Sequence, residues 1–185
     1  MRIFQNQPFL FEAEKVIVKA QSLEQILMKI ELENNSHVKC NEEGIQSVAE
    51  FALNKLGIHP DSELAIRLVT EEEISELHVK WMNLPGPTDV LSFPMDEMKP
   101  NSASNGPGII GDIVLCAPVI EKEALEQSKK IEAHYAHLII HGALHLYGYD
   151  HENNKDADIM EAKEIKILTK LGYKNPYLIE ESKSQ

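Results

Sequence analysis

With 185 residues, 43% of them hydrophobic and 26% charged, the chain is the size of one globular domain with its own core. No apolar run nears the roughly 18 residues that a membrane-spanning helix needs, and no charged stretch precedes an apolar core at the start, so a cytoplasmic protein without membrane or dinucleotide partners is expected. A net charge of −12 argues against gripping nucleic acid over a broad basic surface, which leaves only a local cleft, salt-sensitive and helped by a divalent cation or a docking partner.

Taken in chain order, the first periodic segment is Lys29–Glu33, which alternates polar and apolar residues as an edge strand does. Asn41–Gly57 follows with Ile45, Val48, Ala49, Ala52, Leu53 and Leu56 at helical spacing, and Gly57 stops it. Glu63–Val69 alternates again. Thr70 is a good N-cap with Glu73 three residues on, and Ile74, Leu77, Trp81 and Met82 give the next helix an apolar stripe, with Trp81 expected in the core. Leu84-Pro85-Gly86-Pro87 breaks that helix, and strands are expected at Thr88–Phe93 and Ile109–Cys116. Between them, the stretch from Pro94 to Pro107 reads as a flap. Helices then run over Ala117–Lys129, Ile131–Tyr147 and Lys155–Leu171, and Asn175-Pro176-Tyr177 with Glu180-Glu181 reads as a frayed tail. Early strands and late helices give an α+β fold, a single domain with a small mixed four-stranded sheet and about five helices. Cys40 and Cys116 are expected to be reduced thiols without a metal or redox role.

The most chemically specific stretch runs from His141 to His151. It places imidazoles at relative positions 0, +4 and +10 with Gly148 at +7. Residues four apart on a helix face the same way, so His141 and His145 can offer nitrogens to one ion. A glycine after the helix permits the left-handed turn that brings His151 back to it. Three neutral imidazoles suit one Zn²⁺ per chain, and three protein ligands leave a position for water, as catalytic zinc requires. His134 and His137 lie on the same helix face, within about 80° of the other two, and are read as packing or outer-shell residues. The spacing also matches the metzincin proteases, whose general-base glutamate directly follows the first histidine. Here that position is Gly142, so peptide hydrolysis by that route has no base.

Three segments together, Thr88-Asp89-Val90-Leu91-Ser92-Phe93-Pro94, then Gly111-Asp112-Ile113, then His141 to His151, resemble the bacterial YbeY proteins over about Met28 to Tyr177. The resemblance implies a zinc-dependent endoribonuclease that cleaves single-stranded RNA, matures the 3′ end of 16S rRNA and contributes to ribosome quality control. Its expected partners are ribosomal RNA and the small ribosomal subunit or its assembly factors. It also implies His141, His145 and His151 as zinc ligands. Other readings are a metal-dependent hydrolase of another substrate, such as a degenerate metzincin-like protease, and a non-catalytic ribosome-assembly factor.

Two features depart from the family pattern. Where many members carry an arginine thought to line the RNA channel, the sequence Leu77-His78-Val79-Lys80-Trp81-Met82 ends in methionine. Lys80 or Arg67 is a candidate substitute for its charge. Residues 1–27 lie outside the resemblance and are read as an appended helix or the product of an upstream start, and residues 178–185 as a frayed end. Thr88, Ser92 and Phe93 are candidate substrate contacts, with Phe93 able to stack a base. Asp150 is a candidate for orienting a ligand. Asp89 and Asp112 read first as turn or strand-end caps.

Overall fold

The computed structural model describes residues 28–95 and 106–178. In chain order the elements are β1 (Lys29–Asn34), α1 (Glu42–Leu56), β2 (Glu63–Val69), α2 (Glu71–Met82), β3 (Val90–Pro94), β4 (Ile109–Cys116), α3 (Ala117–Glu126), α4 (Ile131–Leu146) and α5 (Asn154–Lys170). The strands form one mixed sheet in the order β1-β2-β4-β3, with β1, β2 and β4 parallel and β3 antiparallel to β4. Among the described residues, five helices and four strands make the α+β domain expected from the sequence.

Local chemistry sets the boundaries. Asn41 Oδ1 accepts from the Gly44 N–H at 3.0 Å, Thr70 Oγ1 from Glu73 at 3.3 Å and Asn153 Oδ1 from Asp156 at 3.1 Å, each capping a helix start. Helix α3 ends three residues before Lys129 because Ser128 takes a left-handed φ of 52° and the Lys129 N–H bonds back to Ala124. Strand β3 starts at Val90, two residues after Thr88, because Asp89 Oδ1 accepts from both the Thr88 hydroxyl and the Val90 N–H. That is the capping role expected of Asp89.

Alternation along the strands divides the core in two. Leu64, Ile66 and Leu68 of β2 and Ile113 and Leu115 of β4 are at most 1% exposed and face α1 and α4. The opposite face holds a smaller cluster, Val69, Ile74, Leu91, Val114 and Cys116, covered by α2. The expectation that Trp81 is core is corrected here. Of the α2 stripe, Ile74 is buried and Leu77 partly so, but Trp81 and Met82 are each 59% exposed. The second face is too small to cover the end of α2, and Trp81 meets only its rim, edge-on to Phe93 with ring centroids 5.7 Å apart. The two cysteines are unbonded thiols, Cys116 buried and Cys40 partly so. Most of the expected flap, residues 96–105, and the expected extension and tail, residues 1–27 and 179–185, lie outside the described residues.

Candidate metal centre

Helix α4 runs through the middle of the molecule, against α1, α3, α5 and the strands β3 and β4. Its buried residues include Tyr135, Ala136, Leu138, Ile139, Ile140, Ala143, Leu144 and Leu146, so it is held on several sides by apolar packing rather than by one stripe. His137 and His141 face α5, with side chains 15% and 24% exposed.

Gly142 explains how close that packing is. A Cβ at this position would lie 2.9 Å from Ser92 Oγ and 3.2 Å from two carbons of the fully buried Ile113. The helix is pressed onto β3 and β4 at the residue where a metzincin carries its base. Gly148 ends the helix with φ +83°, its N–H bonding to His145 O at 2.9 Å and the Tyr149 N–H to Leu144 O at 3.0 Å. This left-handed closure turns the chain back and brings His151 to the other two rings.

Nitrogens of His141, His145 and His151, one from each, lie within 4.8 Å of one another. The Nδ1 of His141 is 2.7 Å from Glu164 Oε1 and that of His145 is 3.0 Å from the Tyr149 carbonyl. Both partners only accept, so in the neutral rings both Nδ1 atoms carry the proton and both Nε2 atoms present lone pairs. Those two Nε2 atoms are 3.0 Å apart. Two lone pairs facing each other repel unless an electrophile lies between them. Nitrogens held at 2.0–2.1 Å around a tetrahedral ion are roughly 3.3 Å apart. The donor set, its tautomers and its spacing therefore fit a divalent ion such as Zn²⁺.

Sequence reasoning missed Glu164. It is 0% exposed, and besides His141 it accepts at Oε2 from the Tyr177 hydroxyl and from His137 Nε2, the latter at 3.3 Å. Tyr177 is thereby no part of a frayed tail: its ring meets His137 edge-on at 5.5 Å. A signal was present, since Glu164 falls at helical spacing among the buried residues Met160, Ile167 and Leu168. A carboxylate in an apolar stripe marks a paired charge.

Burial, with the neighbouring His141 and His151, lowers the pKa of His145 from 6.5 to about 4. Burial alone would raise that of Glu164, but hydrogen bonds from His137, His141 and Tyr177 outweigh it and hold the group at about 2. Burial and the Glu164 carboxylate push Tyr177 upward. Unfolding releases His145 to take a proton near pH 6.5, which the folded chain refuses until about pH 4, so the metal-free fold loses stability as pH falls through that window. Glu164 opposes no part of this above pH 4.5, because its contribution is complete there and is lost only toward pH 2. Melting curves of the metal-free protein should fall between pH 6.5 and 4.5, and a His145→Gln variant should flatten that slope. An unchanged slope in the variant contradicts the assignment.

The other expected site residues spread over both sheet faces. Ser92 lies under Gly142, the residue after His141, while Phe93 points to the opposite face and meets Trp81. The Lys80 ammonium sits 5.2 Å from the centre of the Trp81 ring. Arg67 is committed to Glu73 and, at 3.8 Å, to Glu33, on the α2 side of the sheet. The Thr88 hydroxyl is held by Asp89. Asp150 Oδ1 accepts from the backbone N–H of His151 at 2.7 Å, shaping the turn rather than holding a ring. His134 is buried and bonds Glu123 at 2.9 Å, away from the three-histidine group.

A sequence model of the family described as Endoribonuclease YbeY matches residues 24–172. Among curated proteins named Endoribonuclease YbeY, that of Methylococcus capsulatus is 49% identical, over 70% of this chain and 81% of its own. That of Cutibacterium acnes is 47% identical, over 71% and 86%, and that of Nocardia farcinica 41%, over 76% and 79%. The solution structure of TM1509 from Thermotoga maritima superposes with a TM-score of 0.49 at 26% identity, covering 77% of this chain and 91% of that one.

Proposed function

The chain belongs to the YbeY endoribonuclease family, and we propose that it is a zinc-dependent enzyme that cuts single-stranded RNA, acting in the cytoplasm on the 3′ end of 16S rRNA and in ribosome quality control. The observation that carries this reading is the pair of Nε2 lone pairs of His141 and His145, 3.0 Å apart, with His151 beside them. A bound Zn²⁺ supplies Lewis acidity toward a phosphoryl oxygen and lowers the pKa of water to about 7.

The chain's own residues narrow the reaction. Gly142 offers no base, and both oxygens of Glu164 are engaged by His137, His141 and Tyr177. No glutamate stands where a metzincin's does, so chemistry that needs no strong carboxylate base, as phosphodiester cleavage at a metal does not, suits the site better than peptide hydrolysis.

For the RNA, the exposed Trp81 and the adjoining Phe93 offer faces for bases, with the Lys80 ammonium nearby for phosphate. Phe93 directly follows Ser92 on the edge strand β3 but points to the opposite face, so RNA held on these aromatics reaches the centre around that edge. Replacing Trp81 with alanine removes roughly 1–3 kcal/mol of stacking and raises KM about tenfold with kcat unchanged. Unchanged KM for a single-stranded substrate contradicts that role. The net charge of −12 makes docking on the small subunit or its assembly factors part of substrate capture, and free RNA binding salt-sensitive.

One observation favours a second reading, a non-catalytic assembly factor: the exposed Met82 stands where the resemblance expects a channel arginine. Strand specificity tests the proposal. A fragment of the 16S rRNA 3′ end should be cut when single-stranded and spared when annealed to its complement, whereas equal cutting of both contradicts it.

A further inference from the structure

We propose that Glu164 is a positioning residue for the metal ligand His141, latched in place by Tyr177, so that helix α5 and the segment after it set the affinity of the centre. This rests on the reading that His141, His145 and His151 hold an ion. Glu164 has no exposed surface and lies among Met160, Ile167 and Leu168, where an apolar side chain would pack without the cost of burying a charge. Its two oxygens serve different ends. Oε1 accepts the Nδ1 proton of His141 at 2.7 Å, which fixes that ring's tautomer, directs Nε2 toward His145 and makes it more basic.

Oε2 keeps the carboxylate from swinging away. It accepts from the Tyr177 hydroxyl and from His137, and Tyr177 is itself steadied by its N–H, which bonds Asn175 Oδ1 at 2.9 Å. Residues from 13 positions beyond Glu164 thus close onto the ligand's partner. A carboxylate buried beside a ligand set made only of imidazoles is also the counter-charge that a bound dication lacks elsewhere in that set.

The test uses the full chain and Zn²⁺ itself, with affinity measured by competition against a chromophoric chelator and ligand geometry read from the visible spectrum of the Co²⁺-loaded protein. Glu164→Gln should weaken Zn²⁺ binding about 10–100-fold and shift the Co²⁺ bands. Tyr177→Phe, which lacks only the hydroxyl, should weaken binding several-fold, and it carries the test if Glu164→Gln does not fold. A merely structural Glu164 would lower the melting temperature of the metal-free protein and leave both metal readouts alone. His141→Ala separates the two levels: if it still binds Zn²⁺ as the parent does, the three-histidine reading fails. If it loses Zn²⁺ while Glu164→Gln, or Tyr177→Phe in its place, binds within twofold of the parent, the positioning role is overturned.

Discussion

Replacing His145 with alanine should empty the centre and reduce RNA cleavage to background while the chain stays folded. His145 is one of only three nitrogen donors, and its Nδ1 proton is committed to the Tyr149 carbonyl. Among the described histidines of helix α4 none is free to substitute, because His137 is occupied with Glu164 and His134 with Glu123. Loss of a direct ligand should exceed the roughly 10–100-fold that loss of an outer partner produces. The fold does not depend on the ion in the same way. Ile139, Ile140 and Leu144 anchor α4 with no exposed surface, and the sheet and α1 complete the core without any histidine. Circular dichroism and metal content measured on the same sample decide the matter: a folded, metal-free, inactive variant is the expected result, and an unfolded one makes the metal structural.

Installing the metzincin base should destroy the fold instead of creating a protease. Gly142→Glu places a Cβ 2.9 Å from Ser92 Oγ and 3.2 Å from Ile113, then asks a carboxylate to continue between a helix and a sheet. Overpacking alone is worth about 1–3 kcal/mol and an unpaired buried charge adds to it, so a loss of about 3 kcal/mol or more is expected. Gly142→Ala is milder, because about 1 kcal/mol of helix propensity offsets part of the clash. Ser92→Ala beside it should recover some of the remainder. Denaturant melts of the four proteins check this, and a Gly142→Glu variant as stable as the parent would show that α4 can lift off β3.

The same glycine shows how far the sequence could be read. Its lack of a side-chain base was visible at once and turned the reading away from proteolysis, but the reason for it, the approach of β3 and β4, involves Ser92 and Ile113, some 50 and 29 positions earlier. Strand β2 and helix α1 were legible because each carries a clean period, of alternation in the one and of helical spacing in the other. The three-histidine group was legible because two of its members share a helix face and Gly148 supplies the turn. The contacts of Glu164 and Tyr177 were not, since these two reach His141 and His137 from another helix and from the segment beyond it, and the apolar spacing around Glu164 marks its burial but not its partners. Trp81 misled because an apolar stripe looks the same whether a large or a small sheet face lies beneath it.

The most direct measurement is cleavage of a single-stranded 16S rRNA 3′-end fragment by the zinc-loaded protein, with a chelated sample and His141→Ala beside it. Cutting by the loaded protein that disappears in both controls, and returns when Zn²⁺ is restored to the chelated one, is the predicted result. No cutting by folded protein carrying one Zn²⁺ per chain, or cutting that survives chelation and His141→Ala alike, would contradict the account.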